Sequence, residues 1–116
     1  MENTEKAAIY RMHAEFCKTL SDANRLLIIS ELSKGELSVS ELVRKLDLKQ
    51  SNVSRHLAVM RERGLVSTRR EGSTIFYRLA DPRISQAIQL LRQVQADQIE
   101  KQRLLAQGIP YLATGK

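Results

Sequence analysis

Cysteine is almost missing from this 116-residue chain, and tryptophan is missing altogether. The one cysteine, Cys17, has no second thiol to pair with, so a small secreted domain stapled by disulfides is excluded. No long apolar run occurs. The longest, "LLII" at Leu26 to Ile29, is far too short to span a bilayer. The opening "MENTEKAAIY" carries acidic residues and no apolar stretch, so a secretory signal is not expected and a cytoplasmic protein is. Aromatic residues are only 4% of the chain, and the basic residues are dispersed. No helix sets a basic face against a bulky aromatic one, which argues against docking on a membrane surface. Paired carboxylates at a catalytic spacing and a glycine-rich phosphate loop are both lacking, so an enzyme is not expected. Repeats and low-complexity segments are absent too, and proline occurs only at 82 and 110.

What is present is a balanced globular composition, 42% hydrophobic and 28% charged. The length suits one small domain over residues 1–116. Such a chain buries a modest fraction of its surface, so a partner subunit would help it. The net charge of +6 and a pI near 9.8 lean toward a polyanionic partner, either nucleic acid or an acidic surface.

Apolar periodicity then sets the elements. Ile9, Met12, His13, Phe16 and Leu20 fall at helical spacing, predicting a helix from about Glu5 to Thr19. Ser21-Asp22 supplies an N-cap for the next, about Ala23 to Ser33. Its Leu26, Leu27, Ile28, Ile29 and Leu32 lie on almost every face, so a buried helix is expected, closed by Lys34 and a left-handed Gly35. Ser38 stands three residues before Glu41, the spacing of a capping box, and opens a helix over Val39 to Leu46.

The turn Asp47-Leu48-Lys49 leads into "QSNVSRHLAVMRERG". Val53, Leu57 and Met60 fall on a buried side there, leaving Gln50, Ser51, Asn52, Ser54, Arg55 and Arg61 on other faces, and Gly64 closes the helix. Two helices joined by a short turn, the second polar and basic at its start, form a helix-turn-helix pattern over 39–64. The period then changes to two. "LVSTRR" and "TIFYRL" flank "EGS", with Gly72 free to take positive φ, so a hairpin over 65–79 is expected, carrying Arg69 and Arg70. The expected fold class is mainly α with a β-hairpin wing, a winged helix-turn-helix.

A last helix starts near Asp81-Pro82 and runs to about Gln107, before Gly108. At about 26 residues it reaches roughly 39 Å. Its stripe of Ile84, Ala87, Ile88, Leu91, Val94 and Ile99 outruns a core this small. Either it folds back on its own domain or a second copy covers it about a two-fold axis.

"CKTLSDANRLLIISEL", "SNVSRHLAVMRERGLV" and "RREGSTIFYRL" together resemble the ArsR/SmtB family of winged-helix repressors, over about Glu15 to Leu79. The resemblance implies a homodimer, with helices 1–20 and 81–107 at the interface and Ile9, Phe16, Ile84, Ile88, Leu91 and Val94 as its apolar contacts. It implies an operator in double-stranded DNA, released when an inducer binds; the inducer is not legible.

Metal-sensing members carry Cys-x-Cys where this chain has Ser38-Val39-Ser40. A hydroxyl is a hard, weak ligand where a thiolate is soft and anionic, so that site is expected to be lost while the cap survives. Zinc-sensing members use Asp and His along the last helix; here it offers Asp81 and Asp97 without a histidine. Redox-responsive members use two cysteines. No metal and no cofactor is therefore expected. Cys17 follows His13 by four residues, on one helix face. Three readings stay open: a buried structural thiol, a thiol switch by oxidation or bridging between subunits, and a metal shared by two copies.

Residue types suggest the DNA chemistry. Ser51 and Ser54 suit phosphate oxygens or base edges; Gln50 and Asn52 can pair with adenine, and Arg55 with guanine. Arg69, Arg70 and Thr74 on the wing would reach the backbone or the adjacent minor groove. Lys49 stands where the family more often has a serine cap, weakening the cap but adding charge near phosphate. His56 either touches DNA, titrates as a pH-sensitive group, or packs under its helix. Two other functions remain: a repressor switched through Cys17, or a winged-helix module that binds protein.

Overall fold

The computed structural model describes residues 2–109, so position 1 and positions 110–116 of the expected domain lie outside the described residues. The elements run α1 (Glu2–Thr19), α2 (Ala23–Leu32), β1 (Leu37–Ser38), α3 (Val39–Leu46), α4 (Gln50–Glu62), β2 (Val66–Glu71), β3 (Thr74–Leu79) and α5 (Arg83–Ala106). This is the expected winged helix-turn-helix order. Residues up to Pro82 form one compact unit, and α5 belongs to a second.

Local chemistry explains most boundaries. Asp22 caps α2, its Oδ1 accepting from the backbone N–H groups of Asn24 at 2.9 Å and Arg25 at 3.1 Å. The capping box forms: Ser38 Oγ accepts from Glu41 N–H at 3.2 Å, and Glu41 returns to Ser38 N–H at 2.9 Å. α3 stops at Asp47, which adopts a left-handed φ of 54°. α4 ends in a Schellman turn, with Gly64 at φ 76° and Leu65 N–H donating to Met60 C=O at 2.8 Å.

Two expected ends move. α1 begins at Glu2 rather than Glu5. α2 is capped by Ser33 in right-handed geometry, and Gly35 follows it at φ 143° instead of being the cap.

The first unit has one core. Ile28, Ile29 and Leu32 from α2 meet Leu42 from α3, Val53, Leu57 and Met60 from α4, and Leu65 and Val66 at the entry to the wing, all buried. Each such side chain stabilises the fold by about 1.5–3 kcal/mol. The expectation that α2 is apolar on buried faces all round is corrected: Leu26 and Leu27 are exposed. A ten-residue helix flanked on one side by α3 and α4 buries only the side that meets them. On α1, Ile9, Tyr10, Met12 and Phe16 are likewise exposed.

The sheet is antiparallel, in the order β1-β3-β2. Leu37 and Ser38 pair with Tyr77 and Phe76, which ties the entry of α3 to the hairpin. In the hairpin Arg69 lies opposite Phe76, Arg70 opposite Ile75 and Glu71 opposite Thr74. α5 carries its stripe in the open. Leu90, Leu91, Val94, Ile99 and Leu105 are exposed, and Ile84 and Ile88 are half-buried.

Candidate nucleic-acid interface

α4 splits by face. Val53, His56, Leu57 and Met60 point into the core, which fixes the rotation of the helix about its axis. The opposite side then has to present Gln50, Ser51, Ser54 and Arg55 to solvent, with Asn52 half-buried. Lys49 occupies the N-cap without a side-chain cap bond, as its side chain cannot accept one. The first backbone N–H groups of α4 are thus left for an anion, and the helix dipole favours one there. Arg55 and Asn52 are already joined: Arg55 Nη2 donates to Asn52 Oδ1 at 3.2 Å. Two of the three side chains expected to pair with bases, Asn52 and Arg55, thus form one preset pair, and Gln50 stands outside it.

His56 has a different role. It is 3% exposed, and its Nδ1 accepts from Arg25 Nε at 3.2 Å. Arg25 in turn donates from Nη1 to the Thr19 carbonyl at 2.9 Å, and Asp22 Oδ1 lies 3.8 Å from His56 Nε2. Burial pushes the His56 imidazole below its ordinary pKa, with Asp22 working the other way. The reading in which His56 packs under its helix is the one the geometry supports.

The wing separates its two arginines. Neighbours in a strand point to opposite faces. Arg69 shares a face with Phe76 and lies 4.8 Å above that ring. Its Nε donates to both oxygens of Glu36, at 3.1 and 3.3 Å; Nη2 also donates to Glu36, and Nη1 donates to Glu71 at 3.2 Å. The Arg69 guanidinium holds the Glu36 carboxyl below the usual carboxylate range. Arg70, on the other face, is exposed and has no acidic partner among the described residues. Thr74 is exposed at the hairpin end. Glu36, Glu71 and Arg25 escaped the sequence reading. The hairpin register could have flagged Glu71 and Phe76, but Glu36 is 33 residues from Arg69 and needs the sheet order to find it.

In the single chain Cys17 is exposed, with its Sγ 3.5 Å from His13 Nε2, so its own fold does not bury the thiol. α1 packs by its C-terminal end, where Thr19 is buried, so the face holding both side chains stays open. No group of three or more potential metal ligands occurs among the described residues. Ser38 Oγ is committed to its cap.

A solvent-facing basic helix start beside a hairpin with a free arginine is the architecture of a winged helix-turn-helix DNA-binding regulator. The chain belongs to the arsR family of bacterial regulatory proteins, whose profile matches residues 22–68. It is 47% identical over 74 residues to the biofilm growth-associated repressor of Agrobacterium fabrum, covering 64% of this chain and 63% of that protein. It is 39% identical over 93 residues to the transcriptional activator HlyU of Vibrio cholerae, covering 80% of this chain and 81% of that one. A homodimeric winged helix-turn-helix DNA-binding domain from Mycobacterium bovis, a possible ArsR-family regulator, superposes with a TM-score of 0.73 at 29% identity, covering 82% of this chain and 88% of that one. These proteins are transcriptional regulators, not enzymes.

Proposed function

We propose that this protein is a cytoplasmic, homodimeric repressor that binds operator DNA through α4 and the wing. The observation that carries this reading is the split of α4: Val53, Leu57 and Met60 are fully buried, which forces Gln50, Ser51, Ser54 and Arg55 outward. A major groove admits one such helix. Lys49, Ser51 and Ser54 meet phosphate at the helix start, while Gln50, Asn52 and Arg55 face base edges. Arg70 and Thr74 carry the wing contact.

Residues 39–64 serve as the helix-turn-helix, 65–79 as the wing, and the helices over 1–20 and 81–107 as the dimer contact. Dimerisation covers apolar side chains that each unit leaves open: Ile9 and Phe16 on α1, and Leu91 and Val94, with half-buried Ile84 and Ile88, on α5. The Mycobacterium bovis relative is a homodimer, which favours the same state here. The test combines sedimentation with a gel shift. A dimer that retards duplex DNA with salt-sensitive affinity supports the reading; a monomer, or protein that retains no duplex at low salt, rejects it.

A second reading, a repressor switched through Cys17, is favoured by the exposure of that thiol beside His13. The same gel shift run with reduced, oxidised and zinc-loaded protein separates the two. If all three states bind alike, Cys17 is no switch.

A further inference from the structure

We propose that Glu36 tunes how tightly the wing holds DNA of any sequence, by engaging Arg69 and keeping it from phosphate. The proposal rests on the DNA-binding reading above and adds a residue to it. Arg69 and Arg70 are adjacent in sequence and equal in charge, yet only one is free. Glu36 faces the Nε edge of the Arg69 guanidinium with both oxygens, and Glu71 takes Nη1. An arginine fork fits carboxylate and phosphate with the same planar geometry, so the two compete for the same donors. A phosphate can take the Nε/Nη2 edge of Arg69 only by displacing Glu36, and the Phe76 ring, 4.8 Å from the guanidinium, helps to hold it in that place.

Glu36 is well placed for this. It immediately precedes β1, and β1 is hydrogen-bonded to β3, so its backbone is anchored to the hairpin that carries Arg69. Its side chain is less exposed than that of Glu71, 34% against 70%, so water screens it less. Glu36 is therefore the main brake and Glu71 a weaker one. Phosphate contacts strengthen binding to every sequence alike and add nothing to discrimination. Holding one wing arginine in reserve keeps non-specific affinity low while Arg70 still positions the wing. The carboxylate thus acts as a specificity-determining residue without touching a base.

The experiment is a salt titration of full-length protein on a random-sequence duplex, read by fluorescence anisotropy, for wild type, Glu36→Gln, Arg69→Ala and the double variant. Freeing Arg69 adds about one phosphate contact per subunit. The slope of log K against log salt should steepen by about one unit per subunit in Glu36→Gln, so that the affinity lost between 50 and 200 mM salt grows roughly three- to fourfold per subunit. Glu71→Gln should move the slope the same way by less. In the Arg69→Ala background, Glu36→Gln should leave the slope unchanged, because the effect passes through Arg69. An unchanged slope in Glu36→Gln overturns the proposal. So does an equal steepening without Arg69, which would mean that removing any negative charge suffices. Wild-type protein that shows no salt-dependent binding overturns the DNA reading along with it.

Discussion

Arg25 donates a hydrogen bond from Nε to Nδ1 of His56 across 3.2 Å, and that bond ties the start of α2 to the underside of α4. The helix proposed to enter the groove is thus held from below by an imidazole whose Nδ1 is an acceptor. Protonation at Nδ1 would replace an acceptor by a donor and set two cations against each other, with only Asp22 at 3.8 Å to offset them.

A pH dependence follows. Burial lowers the His56 pKa from its ordinary 6.5, so the unfolded chain takes up a proton more readily than the folded one. The His56 contribution is complete above about pH 6.5 and is lost as pH falls below it. Melting temperature should drop between pH 7.5 and 5.5. The carboxyls held low, Asp22, Glu36 and Glu100, titrate below that window. In His56→Gln, whose amide oxygen can still accept from Arg25, the drop should shrink. An identical drop in the variant would assign it to other groups.

Leu57 is fully buried where α4 meets the core. Leu57→Ala removes three carbons and leaves a cavity, which costs about 2–5 kcal/mol. Chemical denaturation should report that loss with an unchanged m-value. A loss below about 0.5 kcal/mol would show the site collapsing without penalty.

Arg55 and Asn52 act as one pair in this structure. If they read bases, Arg55→Ala should cut the preference for operator over random duplex by about 1–3 kcal/mol. Equal weakening on both duplexes would place Arg55 on phosphate instead.

Arg70 has the opposite signature. As a phosphate contact, Arg70→Ala should weaken binding to every sequence and lower the salt slope by about one unit per subunit. A slope that does not move would remove Arg70 from the interface.

Much of this fold is legible in the sequence. Ser38 and Glu41 marked the start of α3 because a capping box is local chemistry. The buried face of α4 followed from the spacing of Val53, Leu57 and Met60, and the hairpin from the change of period around Gly72. What could not be read depends on contacts between distant segments. The exposure of Leu26 and Leu27 is decided by which neighbours reach α2, and helical periodicity carries no such information. The separate fates of Arg69 and Arg70 need the strand register and the position of Glu36. The sequence alone does not assign His56, because its partner, Arg25, lies 31 residues away. The place of Cys17 turned on how α1 packs, which a single apolar stripe does not settle.

The most direct test of the central claim, that two copies of α4 read DNA together, is recovery of genomic DNA bound by the protein in its host. The account predicts a small set of discrete sites whose shared sequence has two inverted halves about one helical turn, roughly 34–36 Å, apart. Those sites should disappear for Arg55→Ala while the variant still folds. Recovery of DNA without any common sequence, or of a motif lacking two-fold symmetry, would contradict it.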